Sequence, residues 1–221
     1  MAYLGLESVR VGDSAQCVND IFTLHFPTAR TVIDCTYGKG RFWDWAHSVK
    51  VVGVDIDPQS PATIKADYCH LPFMPASCDV LVFDPPFIFT PGINRIIGTK
   101  RFFLGAESLS ADKRTRSKQE IKKPKNSAEL LQQTEAVLKQ RNIATQGIVL
   151  KGQDLIVNKP DWWSYNVMKL AEQLGMGMPT DILLQHSKAH RMRDPRWQQQ
   201  YHFRRAHCIY LIYKWGIGER E

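Results

Sequence analysis

The stretch Val80-Leu81-Val82-Phe83-Asp84-Pro85-Pro86-Phe87 decides the reading of this chain. Four apolar residues of β-branched and aromatic character predict a strand buried on both faces. An acid, two prolines and an aromatic follow at once. Proline cannot continue a sheet ladder, so the strand ends there. A residue before proline is pushed to extended geometry, which holds Asp84 and Pro85 out of any helix. A carboxylate, a proline carbonyl and a ring therefore gather at the carboxyl end of a central strand, where open α/β sheets bind ligands. A plain Pro-Pro turn capped by Asp84 would leave the same trace, so the surrounding sequence has to decide.

Upstream, Asp13 or Ser14 can cap a helix running to about Phe26, with Val18, Ile21, Phe22 and His25 on one stripe. Residues 1–12 read as a loose or strand-like lead-in. After Pro27 comes a predicted buried strand, Thr31-Val32-Ile33-Asp34-Cys35-Thr36, and then Tyr37-Gly38-Lys39-Gly40-Arg41-Phe42-Trp43. Glycines allow a tight turn and a close approach to a ligand. Phe42, Trp43 and Ala46 suggest a helix directly after the loop. Strand, glycine loop and helix form the first crossover of nucleotide-binding folds, although the third glycine of the dinucleotide fingerprint is missing. A second strand, Lys50 to Val54, ends in Asp55-Ile56-Asp57-Pro58. An acid there is placed for ribose hydroxyls. Little chain remains for a second crossover helix before a short third strand, Ile64 to Ala66, ending in Asp67-Tyr68.

Downstream of Phe87 the composition changes. From Arg95 to Lys125 there are ten Lys or Arg against three acids, a net of +7, equal to the formal charge of the whole chain. Residues 88–127 thus read as a basic insertion: a lid, a nucleic-acid arm or a solvated, partly disordered loop. A helix is predicted from Ser127 to about Asn142, a fifth strand from Gly147 to Leu150 ending in Lys151, and a helix capped by Asp161 and running to Leu174. A sixth strand spans Asp181 to Leu184, and a last antiparallel one spans Ile209 to Lys214. Between them lies a His- and Arg-rich loop, His186 to Arg205. His186 and His190 are four apart with Cys208 near, but no third ligand has convincing spacing, and no metal is expected.

Composition narrows the class. At 221 residues with 43% apolar and 23% charged content, the chain can bury a substantial core as a globular protein. No apolar run is long enough for a bilayer, and the first ten residues do not look like a signal peptide. Five cysteines without Cys-x-x-Cys spacing read as reduced thiols of a cytoplasmic protein. The basic balance favours a polyanionic partner such as nucleic acid.

Gly38-x-Gly40 after one strand, Asp55 after the next, Asp67 after a third and Asp84-Pro85-Pro86-Phe87 after a fourth resemble a class I S-adenosylmethionine-dependent methyltransferase. The tetrapeptide resembles the catalytic motif of amino-methyltransferases acting on adenine N6 or cytosine N4. Thr36 to Trp43, Lys151-Gly152-Gln153-Asp154 and His202 to Leu211 are similar to elements of small phage-type DNA modification methylases. The resemblance covers most of the chain apart from about residues 88–127.

It implies one α/β domain over 1–221: a doubly wound, mostly parallel, seven-stranded Rossmann-like sheet with the basic insertion after the fourth strand. It implies S-adenosylmethionine held by Asp34, Thr36, Tyr37, Gly38, Gly40, Asp55, Ile56, Asp67, Tyr68 and Asp84. Asp84, Pro85, Pro86 and Phe87 would be catalytic. Lys113, Arg114, Arg116, Lys118, Lys122, Lys123, Arg191 and Arg193 would contact nucleic acid, DNA first. Adenine N6 in DNA is the first expectation. Cytosine N4, an RNA adenine-N6 or guanine-N2 substrate, and an inactive nucleic-acid-binding module are the alternatives.

Overall fold

The fold is described from a computed structural model over residues 5–45, 49–86, 124, 126–156, 160–186 and 207–215. Its centre is the strand that the sequence put there, β5 (Cys78–Phe83). Val80, Leu81, Val82 and Phe83 are all buried, as a strand covered on both faces requires. Alternation sorts them. Val80 and Val82 pack toward α1 (Ser14–His25) with Val32, Val149 and Ile212. Leu81 and Phe83 pack toward α2 (Ser127–Lys139) and α3 (Trp163–Gln173) with Ile33, Ile148, Leu150 and Leu211. Each such side chain contributes about 1.5–3 kcal/mol on burial, and helices cover both faces of the sheet.

The remaining strands are β1 (Val9–Val11), β2 (Thr31–Asp34), β3 (Lys50–Asp55), β4 (Ile64–Lys65), β6 (Ala144–Gly152), β9 (Asp181–His186) and β10 (His207–Lys214). Residues Leu155–Ile156 (β7) and Pro160–Asp161 (β8) form a separate antiparallel pair. The main sheet runs β1-β9-β10-β6-β5-β2-β3-β4. β10 is antiparallel to both neighbours, and every other pairing is parallel. The sheet is therefore eight-stranded where seven were expected. The extra strand is the lead-in, paired Val9 to Leu184. Val9 and Val11 are about half exposed and Arg10 is the least exposed of the three, so this three-residue edge carries no buried apolar face.

Three local expectations need correction. The helix foreseen after the glycine loop is, among the described residues, a 3-10 turn, Arg41–Trp43, and the next strand starts at Lys50. No helix forms between β3 and β4; residues 56–63 turn directly, and Ala66 N–H donates to Asp55 O at 3.2 Å. Asp161 does not cap α3. Asp154 does so instead, accepting from Ser164 N at 2.9 Å and Ser164 Oγ at 3.0 Å. Asp13 caps α1 as read, accepting from Gln16 N at 2.9 Å. The expected basic insertion, apart from its last few positions, lies outside the described residues. No helix among the described residues is long and apolar enough to cross a membrane.

Candidate active site

The strand order reverses between β2 and β5. From β2 the chain steps outward through β3 to β4, and from β5 it steps the other way to β6. Such a switch point leaves a crevice at the carboxyl ends of the strands. Asp34 ends β2, Asp84 follows β5, and Lys151 lies near the end of β6. The two halves are stitched together there. Asp84 N–H donates to Thr36 Oγ1 at 2.8 Å, and Cys35 N–H donates to Val82 O at 2.9 Å.

The glycine loop is held in a fixed shape. Gly38 and Gly40 have φ of 55° and 71°, the left-handed region that favours glycine. Gly38 N–H donates to Asp55 Oδ2 at 2.8 Å, and Asp57 N–H donates to Asp55 Oδ1 at 2.8 Å. Ser60 Oγ donates to Gly38 O at 2.7 Å. Tyr37 N–H donates to Val54 O, and the Tyr37 ring lies on the backbone of Gly53, where an added Cβ would come within 2.4 Å of the ring. Asp55 thus acts first as the staple between β3 and the loop. Each carboxylate oxygen keeps a second lone pair for another donor.

Asp34 is buried at 2% exposure. Its Oδ2 accepts from Trp43 Nε1 at 2.8 Å, and its Oδ1 accepts from Thr36 N at 3.0 Å. Burial pushes its pKa up from 3.8 to about 6, against the pull of those two bonds. Asp34 is thereby a strut that holds the loop and the Arg41–Trp43 turn, while still lining the crevice.

Asp84 meets a partner that the sequence reading did not place in the site. Its Oδ2 lies 3.0 Å from Lys151 Nζ, with side chains only 22% and 10% exposed. Burial raises the Asp84 pKa, and the Lys151 ammonium pulls it back down. Lys151 Nζ also donates to Ser14 Oγ at 3.2 Å and sits over the Phe42 and Tyr210 rings, 4.8 and 5.8 Å from their centroids. Ser14 Oγ and Tyr210 Oη both donate to Gln185 Oε1, at 3.2 and 2.9 Å. Gln185 Nε2 donates in turn to Gly12 O at 3.1 Å. The signal available beforehand was a cation ending the strand next to the Asp-Pro-Pro strand. Ser14, Gln185 and Tyr210 carried no local signal, because they come from α1, β9 and β10.

Ser14, Phe42, Asp84, Lys151 and Gln185 border a cavity of about 770 Å³, within the range of small-molecule sites. Asp34, Thr36, Tyr37, Gly38, Asp84 and Lys151 are in its wall, and the start of α1 forms the facing rim. Gly40 is buried behind the loop. Asp55, Ile56, Asp67 and Tyr68 do not line it. Asp67 accepts from Cys69 N at 2.9 Å and caps the short turn Tyr68–His70. Tyr68 is buried; its hydroxyl donates to Gln133 Oε1 at 2.5 Å, and its ring meets Phe83 edge-on at 5.1 Å. Pro85 is buried and Pro86 half-buried beside Asp84. Phe87, Lys113, Arg114, Arg116, Lys118, Lys122, Lys123, Arg191 and Arg193 lie outside the described residues.

No protein-family model matches the chain, and no curated protein sequence does. Among solved structures, the chain is similar to a protein from Pyrococcus horikoshii OT3 at 11% identity and a TM-score of 0.49, over 90% of this chain and 88% of that one. It is similar to a SAM-dependent methyltransferase from Archaeoglobus fulgidus at 11% identity and 0.47, over 92% and 95%. A SAM-dependent methyltransferase from Aquifex aeolicus matches at 12% and 0.43, over 90% and 88%. At these scores and identities the likenesses carry no weight for function.

Proposed function

We propose that this protein transfers a methyl group from S-adenosylmethionine to an exocyclic amine of a nucleic-acid base, adenine N6 in DNA being the first candidate. The observation that carries this reading is Asp84 at the switch point, its N–H bonded to Thr36 at the start of the glycine loop and its side chain sharing one cavity with Tyr37 and Gly38. The residues fit a cofactor of this kind. A rigid loop with left-handed glycines offers its backbone at the crevice, and the cavity wall carries the carboxylates of Asp13, Asp34, Asp44 and Asp84. Carboxylates suit a cationic sulfonium and its amino group, and the Lys39 and Arg41 side chains on the same wall suit a carboxylate. The bound cofactor would supply a methyl group already activated as an electrophile.

The chain's own part is acceptor chemistry and orientation. The lone pair of an aromatic exocyclic amine is delocalised into its ring, which makes the nitrogen a poor nucleophile. Asp84 Oδ2 is engaged by Lys151; among the described residues nothing else bonds Oδ1, which can accept an amine N–H. Accepting that bond favours the pyramidal nitrogen whose lone pair attacks, and stabilises the positive charge that grows on it. The Thr36 bond fixes the Asp84 backbone, so the acceptor is preorganised. A base in a duplex would have to leave the stack to reach this crevice.

The deciding experiment is labelled-methyl transfer to duplex DNA, single-stranded DNA and RNA, followed by nucleoside identification. N6-methyladenine in DNA supports the first candidate, and N4-methylcytosine or a methylated RNA base moves the assignment to that substrate. S-adenosylmethionine binding without transfer to any of them favours the inactive binding module.

A further inference from the structure

The Asp84–Lys151 pair raises a question that the amine chemistry leaves open. A carboxyl group this deeply placed gains from becoming neutral, and a neutral carboxyl is a donor as well as an acceptor. Asp84 in that form could face a ring nitrogen or a carbonyl oxygen as readily as an amine. Lys151 removes the ambiguity. Lys151 is itself buried, at 8% exposure, and its ammonium is held on several sides by Asp84, Ser14 Oγ and the Phe42 and Tyr210 rings. Ser14 is in turn held by Gln185, which is braced by Tyr210 and by Gly12 O.

We propose that Lys151 is a positioning residue of the transfer reaction: seated by Ser14, Phe42 and Tyr210, it holds Asp84 as a carboxylate at the cavity wall, so that a group bearing a hydrogen to donate, such as an exocyclic amine, is accommodated there and a bare ring nitrogen or carbonyl oxygen is not. This rests on the methyl-transfer reading and deepens it by naming what selects a donor such as the amine over the acceptor atoms of a base. The groups facing the pair do not supply this control. From α1 comes Cys17, and from β10 come Cys208 and Tyr210; burial raises the pKa of all three, so they are neutral near pH 7. From β2 comes Asp34, whose negative charge disfavours ionisation of Asp84. Lys151 is the cation that acts on Asp84 among the described residues.

The test follows Asp84 itself in the full chain, by carbon NMR of labelled aspartate, with the resonance assigned by its loss in Asp84→Asn. Lys151→Met drops the charge at similar length. Lys151→Gln, neutral but still a donor, serves if Met disturbs the fold, and Lys151→Arg keeps the charge. In both neutral variants the Asp84 midpoint should rise by about one pH unit or more, the size of an opposite charge at this distance. The acid limb of kcat should rise with it, giving at least about a tenfold loss at pH values below the limb. Lys151→Arg should stay near the wild type in both. An Asp84 midpoint that does not move overturns the proposal. So does a kcat that falls evenly at all pH values with its acid limb in place, the signature of a merely structural lysine. A wild-type protein that methylates no nucleic acid, yet shows the Asp84 shift in its variants, refutes the methyl-transfer reading and leaves the electrostatic coupling standing.

Discussion

Thr36 is the smallest part of the site on which the rest depends. Its hydroxyl accepts the Asp84 N–H at 2.8 Å and can itself donate to Asp34 Oδ1 across a long 3.5 Å. Thr36→Val keeps the shape and branches of the side chain while replacing the hydroxyl with a methyl group. The Asp84 amide then faces a methyl group, and a buried donor left unsatisfied costs about 1–3 kcal/mol. Thr36→Ser keeps the hydroxyl and loses one methyl, about 0.8 kcal/mol. Valine, the more apolar replacement, should thus be the more destabilising of the two. Urea unfolding at constant m reads the difference in midpoint. The catalytic consequence should be larger. The Asp84 backbone would shift to find another acceptor, and displacement of a reacting group by about 1 Å costs on the order of a hundredfold in rate. Labelled-methyl transfer under saturating cofactor should show a kcat lower by that order in Thr36→Val and nearly normal in Thr36→Ser. Equal stability and equal kcat in the two variants would refute the idea that this hydrogen bond positions Asp84.

Further predictions follow from neighbouring contacts. Asp84→Ala should lower transfer at least about a hundredfold while leaving S-adenosylmethionine affinity nearly unchanged by calorimetry; normal turnover would remove Asp84 from the chemistry. Asp34, with its pKa raised to about 6, favours the fold in its neutral form, so stability should fall by about 3 kcal/mol as pH rises from below 4 through 6, and Asp34→Asn should flatten that slope in urea titrations. Trp43→Phe removes a donor to the ionised Asp34, so its cost, about 1–3 kcal/mol, should be greater at pH 8 than at pH 5. Gly53→Ala drives a Cβ into the Tyr37 ring and should cost about 1–3 kcal/mol while weakening cofactor binding through the displaced loop.

Much of the sheet was legible because its signals are local. Thr31 to Asp34, Lys50 to Asp55 and Cys78 to Phe83 are apolar runs cut off by acids, glycine or proline, and they form strands close to where they were read. The errors fall where local pattern is overruled. Phe42 and Trp43 are spaced as though a helix began there. The Trp43 indole is instead tied to Asp34 and packed edge-on against Phe22, so the segment serves as a plug between loop and α1. Asp55, at the end of the second parallel strand, reads as a ribose acceptor, and the structure shows it first stapling Gly38 and Asp57. Its carboxylate does not line the cavity, so what the structure shows of it is the staple that presents the loop backbone at the crevice. Asp67 and Tyr68 followed the same rule of an acid after a strand. Their strand is only two residues long, and Asp67 caps the short turn after it, outside the cavity wall.

The Asp84–Lys151 pair shows why a site can be half visible. Each residue stands at the end of an apolar run, and each run alone says only that a polar group follows a buried strand. What joins them is register. β5 and β6 are parallel neighbours with Phe83 opposite Leu150, so the next residue of each strand comes side by side. A slip of one residue would exchange the faces of every side chain in β6 and bury Lys151 against the wrong layer. That register follows from the two cores. Val149 must join the α1 side, and Ile148 and Leu150 must join the α2 and α3 side. The residues that place Lys151 beside Asp84 are therefore apolar residues deep in the sheet, and the ion pair itself adds little to that choice. A buried pair of charges is expensive in desolvation, and apolar replacements of similar volume are often no less stable. Its presence at the switch point, beside the cavity and not at some remote place in the core, is better explained by what it does to Asp84 than by what it does for the fold.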